Sequence, residues 1–165
     1  MDRLSLAAEV VNACRSKGLK LSFAESCTGG LCAASIVSVA GASEVFYGSI
    51  VSYDNSVKEK LLSVPSDILE SVGAVSEECA FAMANGAREQ MQTDIAVSVT
   101  GIAGPGGGTA QKPVGLVYVG VSSARGTFVK KLMLSECGDR TAIRERSVCE
   151  MLCLVLEEVE KINLP

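Results

Sequence analysis

The stretch LKLSFAESCTGGLCAASIVSVAG, residues 19–41, joins a short alternating segment to a longer apolar segment through a turn of small polar residues. Alternation over 19–24 predicts a strand, and the apolar run from about 29 to 39 predicts a buried helix. We expect Thr28 to cap that helix and Gly41 to end it. A strand that leads directly into a helix is the building unit of an α/β fold.

The rest of the chain continues this alternation of helix and strand patterns. Helical spacing and capping residues predict helices over 3–17, over 54–62 with Asp54 or Asn55 as the cap, over 66–72, from Ser76 to Met91, and from Asp139 to about 161. β-Branched and apolar runs predict strands over 45–53, 94–101, 114–123 and 126–134, the last two as a hairpin. The apolar face of the first helix is expected to consist of Leu4, Ala7, Ala8, Val11 and Cys14.

Early alternation followed by a hairpin predicts a three-layer α/β/α sandwich with a mixed, mostly parallel five-stranded sheet. The 165 residues favour a single domain that covers the whole chain. In such sheets, ligands bind beyond the carboxyl ends of the strands. Three polar or glycine-rich turns follow predicted strands, at 25–30, 53–58 and 100–109. We therefore expect the functional site where these three turns meet.

Composition and charge exclude several classes of protein. The net charge of −4 and the isoelectric point near 4.9 give no broad basic face for nucleic acid. Only 4% of the residues are aromatic, so stacking platforms for bases are not expected. The uncharged run between Glu25 and Glu44 is too rich in Gly, Ser and Thr to span a bilayer, and the acidic N-terminal segment is no signal peptide. These features predict a protein that binds neither nucleic acid nor membrane.

The cysteines and the absent histidine restrict the possible chemistry. Seven cysteines, an odd number without a C-x-x-C spacing, are typical of reduced core thiols in a cytoplasmic protein. The sequence contains no histidine. This excludes Ser-His-Asp and Cys-His catalysis, and histidine-ligated metal sites, within one chain.

Ser26 is the first candidate nucleophile, because it lies where the first strand ends and a helix begins. The backbone amides of Cys27 and Thr28, or of Gly29, are placed to face an anion or an oxyanion. Cys27 is a rival nucleophile, since helix N-termini lower the pKa of thiols. The simpler interpretation is that Ser26 is only a turn residue.

A serine nucleophile without histidine needs another base, and the turn after the second strand offers Tyr53 and Lys58. Lys58 falls in the first part of a helix, where the helix terminus and partial burial would lower its pKa. Ser–Lys pairs are a known way to activate serine. The alternative is that Lys58, like Lys60, is a solvated surface lysine.

The loop GIAGPGGGTAQKP (101–113) and two arginines are candidates for ligand binding. The loop has neither the Gly-Lys-Ser/Thr ending of a Walker A loop nor the spacing of a dinucleotide fingerprint, but its glycines leave backbone amides accessible. Arg140 and Arg144 share one face of the last helix and suit a phosphate group. A flexible surface loop and solvated arginines are the alternatives.

Together these segments resemble the CinA C-terminal domain family, the nicotinamide mononucleotide deamidases. The motifs occur in the family's order and cover nearly the whole chain: AESCTGG (24–30), VSYDNSVKEKLLSV (51–64), GAVSEECA (73–80), VTGIAGPGGGTAQKPVGLVYV (99–119) and GDRTAIRERSV (138–148). Many family members carry an additional N-terminal domain, so this chain resembles a stand-alone form. Gly106 replaces an acid that family loops often carry.

The resemblance implies hydrolysis of the amide of nicotinamide mononucleotide to nicotinate mononucleotide and ammonia, without metal or cofactor. It implies Ser26 as the nucleophile and Lys58 as the base, with Tyr53 beside them, in a cytoplasmic homodimer. The substrate-binding residues that it implies are Cys27, Thr28, Gly29, Thr100, Gly101 and Gly104, with Arg140, or in reserve Arg144, for the phosphate. Two alternatives stay open: a non-catalytic module that binds a phosphorylated nucleotide, and a Cys27-dependent amidase or redox sensor.

Overall fold

The computed structural model describes residues 1–162 and contains the predicted succession of helices and strands. The helices are α1 (Arg3–Lys17), α2 (Leu31–Val37), α3 (Asn55–Leu62), α4 (Ser66–Ser71), α5 (Glu77–Met91) and α6 (Arg140–Lys161). The strands are β1 (Leu21–Glu25), β2 (Phe46–Val51), β3 (Ile95–Gly101), β4 (Leu116–Ser123) and β5 (Gly126–Met133). Short 3₁₀ turns at 42–44 and 135–137 had no counterpart in the prediction.

The five strands form one mixed sheet in the order β2-β1-β3-β4-β5. β1 is parallel to both of its neighbours, whereas β3–β4 and β4–β5 are antiparallel. The mixed sheet is confirmed, but "mostly parallel" overstates the pairing, since two of the four ladders are antiparallel. The reason is the connection from β3 to β4, which contains no crossover helix and so returns the chain beside β3 in the opposite direction.

Helices cover both faces of the sheet, which confirms the three-layer architecture. Side chains alternate along each strand, so Phe23 faces a core shared with α1, α2 and α6, while Ala24 faces α5. On the α5 side the sheet carries small residues, and a Cβ on Gly120 would lie 2.7 Å from the carbonyl oxygen of Ala80 in α5. α5 therefore lies close against the sheet. β3, predicted as a central strand, is buried on both faces.

Capping residues fixed several helix starts as predicted. The side chains of Asp54, Ser76 and Asp139 accept hydrogen bonds from the first-turn amides of α3, α5 and α6. Gly18, in the left-handed conformation at φ +65°, ends α1. These contacts are local in sequence, which is why the pattern identifies them.

The predicted apolar face of α1 is wrong in part. Leu4 is exposed and Ala8 only half-buried, whereas Leu6 and Val10 are buried. The buried face is rotated because α1 packs against α2 and α6 as well as lying over the sheet. No helix within residues 1–162 is both long and apolar enough to cross a bilayer.

Candidate active site

Ser26 and Lys58 meet at the carboxyl edge of the sheet. Ser26 follows the last residue of β1, and Lys58 lies in α3, which follows β2. Because β1 and β2 are parallel neighbours, their ends lie side by side. Lys58 Nζ is 3.1 Å from Ser26 Oγ. The structure thus brings the expected nucleophile and base within hydrogen-bond distance.

Lys58 is a buried lysine, with only 1% of its surface exposed. Its Nζ also donates hydrogen bonds to the carbonyl oxygens of Ser52, at 2.7 Å, and Tyr53, at 3.2 Å. Burial lowers the pKa of Lys58, and Cys79 and Asp54 nearby act in the opposite direction. Lys58 forms no ion pair with a carboxylate among residues 1–162.

The arrangement around Nζ accommodates both forms of the amine: an ammonium donates to all three oxygens, and a neutral amine can act as a base. A neutral amine has two N–H groups, which match the carbonyl oxygens of Ser52 and Tyr53. The remaining tetrahedral position then carries the lone pair and faces Ser26 Oγ. In this protonation state the hydroxyl of Ser26 donates to Lys58, which is the direction that proton abstraction requires.

The Ser26 backbone is fixed by the strand beside it and by its own turn. Its amide donates to the carbonyl oxygen of Val99 in β3, and its carbonyl oxygen accepts from the amide of Gly29, both at 3.1 Å. Gly29 folds the turn back at φ +59°. The Gly29 amide is therefore used inside the turn, so the expectation that it faces a ligand is not met.

The carboxylate of Glu25 occupies the N-terminus of α2. It accepts five hydrogen bonds of 2.7–3.0 Å, from the hydroxyls of Thr28 and Ser49 and the amides of Gly30, Cys32 and Ala33. The prediction that Thr28 caps α2 is wrong, because its hydroxyl donates to Glu25. Thr28 is buried and does not line the cleft, so its side chain supports the turn.

The Cys27 thiol is not activated by the helix. Burial raises the pKa of Cys27 to about 11, although Arg144 and Lys58 act to lower it. The expected lowering by the α2 terminus fails because Glu25, rather than the thiol, meets the helix amides. A Cys27 nucleophile is therefore disfavoured, since the thiolate is the reactive form.

Arg144 braces the turn from outside the cleft. Its Nε donates to the carbonyl oxygen of Cys27 at 3.0 Å, and its Nη2 to that of Thr28 at 2.8 Å. In a trans peptide the N–H opposes the preceding C=O, so the Thr28 amide points away from Arg144. Among residues 1–162, the amides of Cys27 and Thr28 donate to no acceptor. Of these two residues only Cys27 lines the cleft, so the Cys27 amide is the available donor beside Ser26 for an oxyanion, whereas Thr28 is fully buried.

A cleft of about 270 Å³ opens above the pair. Its lining includes the side chains of Val75 and Ile102 and the glycine-rich loop. In this loop the amides of Ala103, Gly104, Gly106 and Gly107 have no acceptor within residues 1–162. The loop therefore has free hydrogen-bond donors beside the cleft.

Thr100, Gly101 and Gly104 mainly fix the shape of the cleft. Thr100 Oγ1 donates to the carbonyl oxygen of Ala74 at 2.8 Å, which ties β3 to the start of α5. A Cβ on Gly101 would lie 2.7 Å from Val117 Cγ2, so this glycine is required by packing against β4. Gly104, at φ +76°, offers its carbonyl oxygen to Arg140.

Of the two candidate arginines, only Arg140 lines the cleft. Its Nη1 donates to the Gly104 carbonyl oxygen at 2.7 Å and its Nη2 to the Tyr53 hydroxyl at 3.2 Å. Tyr53 is 64% exposed, and its hydroxyl bonds to Arg140 rather than to Ser26 or Lys58. Tyr53 thus meets the pair through its carbonyl oxygen alone.

A second cavity within residues 1–162 has a different lining. It has a volume of about 680 Å³, lies between α4 and α5, and is lined by Ile68 and Phe81 together with glutamates. It contains no nucleophile next to a base. No group of three or more His, Cys, Asp or Glu side chains among residues 1–162 is arranged to hold a metal ion.

The family model of the CinA C-terminal domain matches residues 3–159. The chain belongs to the CinA C-terminal domain family. A CinA-like protein from Dictyoglomus turgidum is 54% identical over 140 residues, which are 85% of this chain and 34% of that protein. A CinA-like protein from Kosmotoga olearia is 54% identical over 161 residues, or 98% of this chain and 38% of that protein. The chain thus spans little more than a third of the length of these curated relatives.

Solved structures have the same fold. The competence/damage inducible protein CihA from Agrobacterium tumefaciens has a TM-score of 0.92 and 38% identity, over 97% of this chain and 96% of that one. A CinA superfamily protein from Klebsiella pneumoniae has a TM-score of 0.93 and 27% identity, over 98% and 100% of the two chains. The resemblance to the CinA family is confirmed.

Two residues at this CinA site were missed in the sequence. Glu25 is the last residue of β1, and an acid shortly before a helix N-terminus is a recognisable signal. Asn55 lines the cleft, and its carboxamide forms no side-chain hydrogen bond within residues 1–162. The sequence pattern predicts Asn55 only as a candidate cap of α3, because nothing local distinguishes a capping residue from a residue that lines the cleft.

Proposed function

We propose that this protein is an amidohydrolase that converts nicotinamide mononucleotide to nicotinate mononucleotide and ammonia. The observation that carries the proposal is the 3.1 Å contact between Ser26 Oγ and the buried Nζ of Lys58. Membership of the CinA C-terminal domain family supports it. The identity of the substrate is inferred from the resemblance to the nicotinamide mononucleotide deamidases.

In the first half of the reaction, neutral Lys58 takes the hydroxyl proton of Ser26, and Oγ attacks the amide carbon. The carbonyl oxygen becomes an oxyanion, which the amide of Cys27 stabilises. The C–N bond then breaks, and Lys58 gives its proton to the leaving nitrogen, so ammonia departs. Ser26 is left as an ester of the nicotinoyl group.

In the second half, Lys58 takes a proton from water, and the resulting hydroxide attacks the ester carbon. The second oxyanion occupies the same position as the first. Collapse breaks the C–Oγ bond, and Lys58 returns its proton to Ser26. The product is a carboxylic acid, which ionises in water.

The cleft also accounts for the rest of the substrate. The apolar side chains of Val75 and Ile102 in the lining suit a flat pyridine ring beside Ser26. Arg140, whose Nη1 is 2.7 Å from the Gly104 carbonyl oxygen, lines the same cleft as the glycine-rich loop. A phosphate there would receive a charge-assisted hydrogen bond from the guanidinium group and further bonds from the loop.

The test is release of ammonia from nicotinamide mononucleotide by the purified protein and two variants. Ser26→Ala and Lys58→Met should each lower kcat by a factor on the order of 10⁴ or more, because they remove the nucleophile and the base. Ser22→Ala is the matched control. It removes a buried hydroxyl that contacts Thr93 from the other end of β1, and it should keep the activity.

Full ammonia release by Ser26→Ala would exclude the serine mechanism. Wild-type protein that binds the mononucleotide in calorimetry and releases no ammonia would identify a binding module instead. Activity that survives in Ser26→Ala and is lost in Cys27→Ala would favour the thiol.

A further inference from the structure

We propose that Glu25 is a positioning residue that sets the distance between Ser26 and Lys58. This inference rests on the proposed Ser–Lys mechanism and adds to it a residue that does not touch the substrate. Glu25 is fully buried, directly precedes Ser26, and lies outside the cleft.

Glu25 connects the two halves of the pair through β2. Its carbonyl oxygen accepts from the amide of Ser52 at 2.8 Å, and the carbonyl oxygen of Ser52 accepts from Lys58 Nζ at 2.7 Å. Its side chain reaches the same strand, because Oε1 accepts from the hydroxyl of Ser49 at 3.0 Å. One residue thus holds the Ser26 turn and the carbonyl that orients Lys58.

The same carboxylate fixes the other side of the Ser26 turn. Oε2 accepts from the hydroxyl of Thr28 at 2.7 Å and from the amide of Gly30 at 3.0 Å. Thr28 directly follows Cys27, whose free amide lies beside Ser26. A shift of Glu25 would therefore move the nucleophile, the oxyanion donor and the base relative to one another.

The two oxygens of the Glu25 side chain match these partners as acceptors. All five groups around Glu25 are donors, and a carboxylate accepts at both oxygens. In Glu25→Gln an NH₂ group replaces one oxygen. Placed at Oε1, it loses the bond from the amide of Ala33 and requires the Ser49 hydroxyl to turn from donor to acceptor. The variant keeps the size of the side chain and removes its charge and one acceptor oxygen.

The experiment measures phosphonylation of Ser26 by a fluorophosphonate probe, with the labelled residue identified by mass spectrometry. Oγ forms a bond to phosphorus, fluoride leaves, and Lys58 takes the hydroxyl proton, so the rate reports the pair without requiring the natural substrate. We expect Glu25→Gln to lower the maximal labelling rate on the order of 100-fold, as for a misplacement of about 1 Å. The pH midpoint of labelling, which reports Lys58, should stay at the wild-type value.

Ser49→Ala is the second variant, because it disturbs fewer buried hydrogen bonds than Glu25→Gln and is therefore less prone to misfold. It removes one bond to Oε1 and should lower the labelling rate several-fold, whereas Ser22→Ala, which breaks a buried bond at the far end of β1, should leave it unchanged. Wild-type labelling rates in folded Ser49→Ala or Glu25→Gln would overturn the inference. A shifted pH midpoint would also overturn it, since Glu25 would then act on the charge of Lys58. Unlabelled wild-type protein would contradict the proposed function instead.

Discussion

At the scale of single residues, the proposed chemistry depends on burial of one amine. A lysine in water is protonated at neutral pH and cannot act as a base. Lys58 is buried against two carbonyl oxygens and no carboxylate within residues 1–162, and burial lowers its pKa. Burial therefore favours the neutral form of Lys58 that the mechanism needs.

This predicts the pH dependence of kcat/KM for ammonia release. Below the pKa of Lys58 the amine is protonated and inactive, so activity should rise about tenfold per pH unit and then reach a plateau. The midpoint should lie below the usual lysine value of 10.5, because burial favours the neutral amine. The exposed Lys60→Gln variant should give the same profile. Activity that falls with rising pH, or a midpoint at or above 10.5, would contradict a neutral Lys58 base.

Ser26 and Lys58 could be predicted from the sequence, whereas the residues that hold them in place could not. Without histidine in the chain, the turn after the second strand offered Lys58 as one of few possible bases. The expected lowering of the Cys27 pKa is wrong, because burial by elements distant in sequence raises it. The role of Glu25 depends on Ser49, 24 residues away. A pattern finds a residue type at a strand end, but it does not show what packs around it.

At the scale of elements, α6 acts on the site from the opposite layer. Arg144 in α6 bonds the carbonyl oxygens of Cys27 and Thr28, and Arg140 in the same helix lines the cleft. The two arginines lie four apart on one face, as predicted, but they have different tasks. One orients the turn that carries the oxyanion donor, and the other faces the ligand space.

Arg144→Ala should therefore lower kcat more than it raises KM. Without the guanidinium group the carbonyl oxygens of Cys27 and Thr28 lose their support, and the Cys27 amide, the oxyanion donor on the same turn, loses its orientation. A loss of roughly 10- to 100-fold in kcat is expected, below the cost of removing a donor outright. Arg146→Ala, which removes an ion pair with Glu150 elsewhere on α6, is the control and should keep kcat. An increase in KM alone would assign Arg144 to substrate binding.

Sequence patterns located elements best where the deciding contacts are local. Asp54 and Ser76 cap α3 and α5 with their own first turns, and both starts were predicted. The start of α2 was predicted at about 29 but lies at Leu31, because a strand residue supplies the cap. The same dependence on contacts between distant residues explains why the pairing of the strands was predicted only in part. The strands were predicted from composition, but the proportion of parallel pairing depends on how the β3–β4 loop closes.

At the scale of the whole molecule, the site depends on how closely the layers approach. α3 carries Lys58, and its C-terminal end rests on α5, which in turn lies on the sheet that carries Ser26. The contact point is Gly86 in α5. A Cβ there would lie 2.0 Å from the carbonyl oxygen of Leu62. The position of Lys58 relative to Ser26 is thus set by a glycine far along the chain.

Gly86→Ala should consequently reduce both stability and activity. Alanine favours a helix over glycine by about 1 kcal/mol, so an uncomplicated substitution would raise the free energy of unfolding. Here the methyl group must displace the end of α3, and overpacking of this kind costs about 1–3 kcal/mol. The shift moves Lys58 away from Ser26, so kcat for ammonia release should fall on the order of tenfold or more in the folded fraction.

Gln90→Ala, on the exposed side of α5, is the matched control and should change neither the stability nor kcat by much. Denaturant unfolding and kcat measured on the same samples separate the two effects. A more stable Gly86→Ala protein with wild-type kcat would show that the α3–α5 contact does not control the pair.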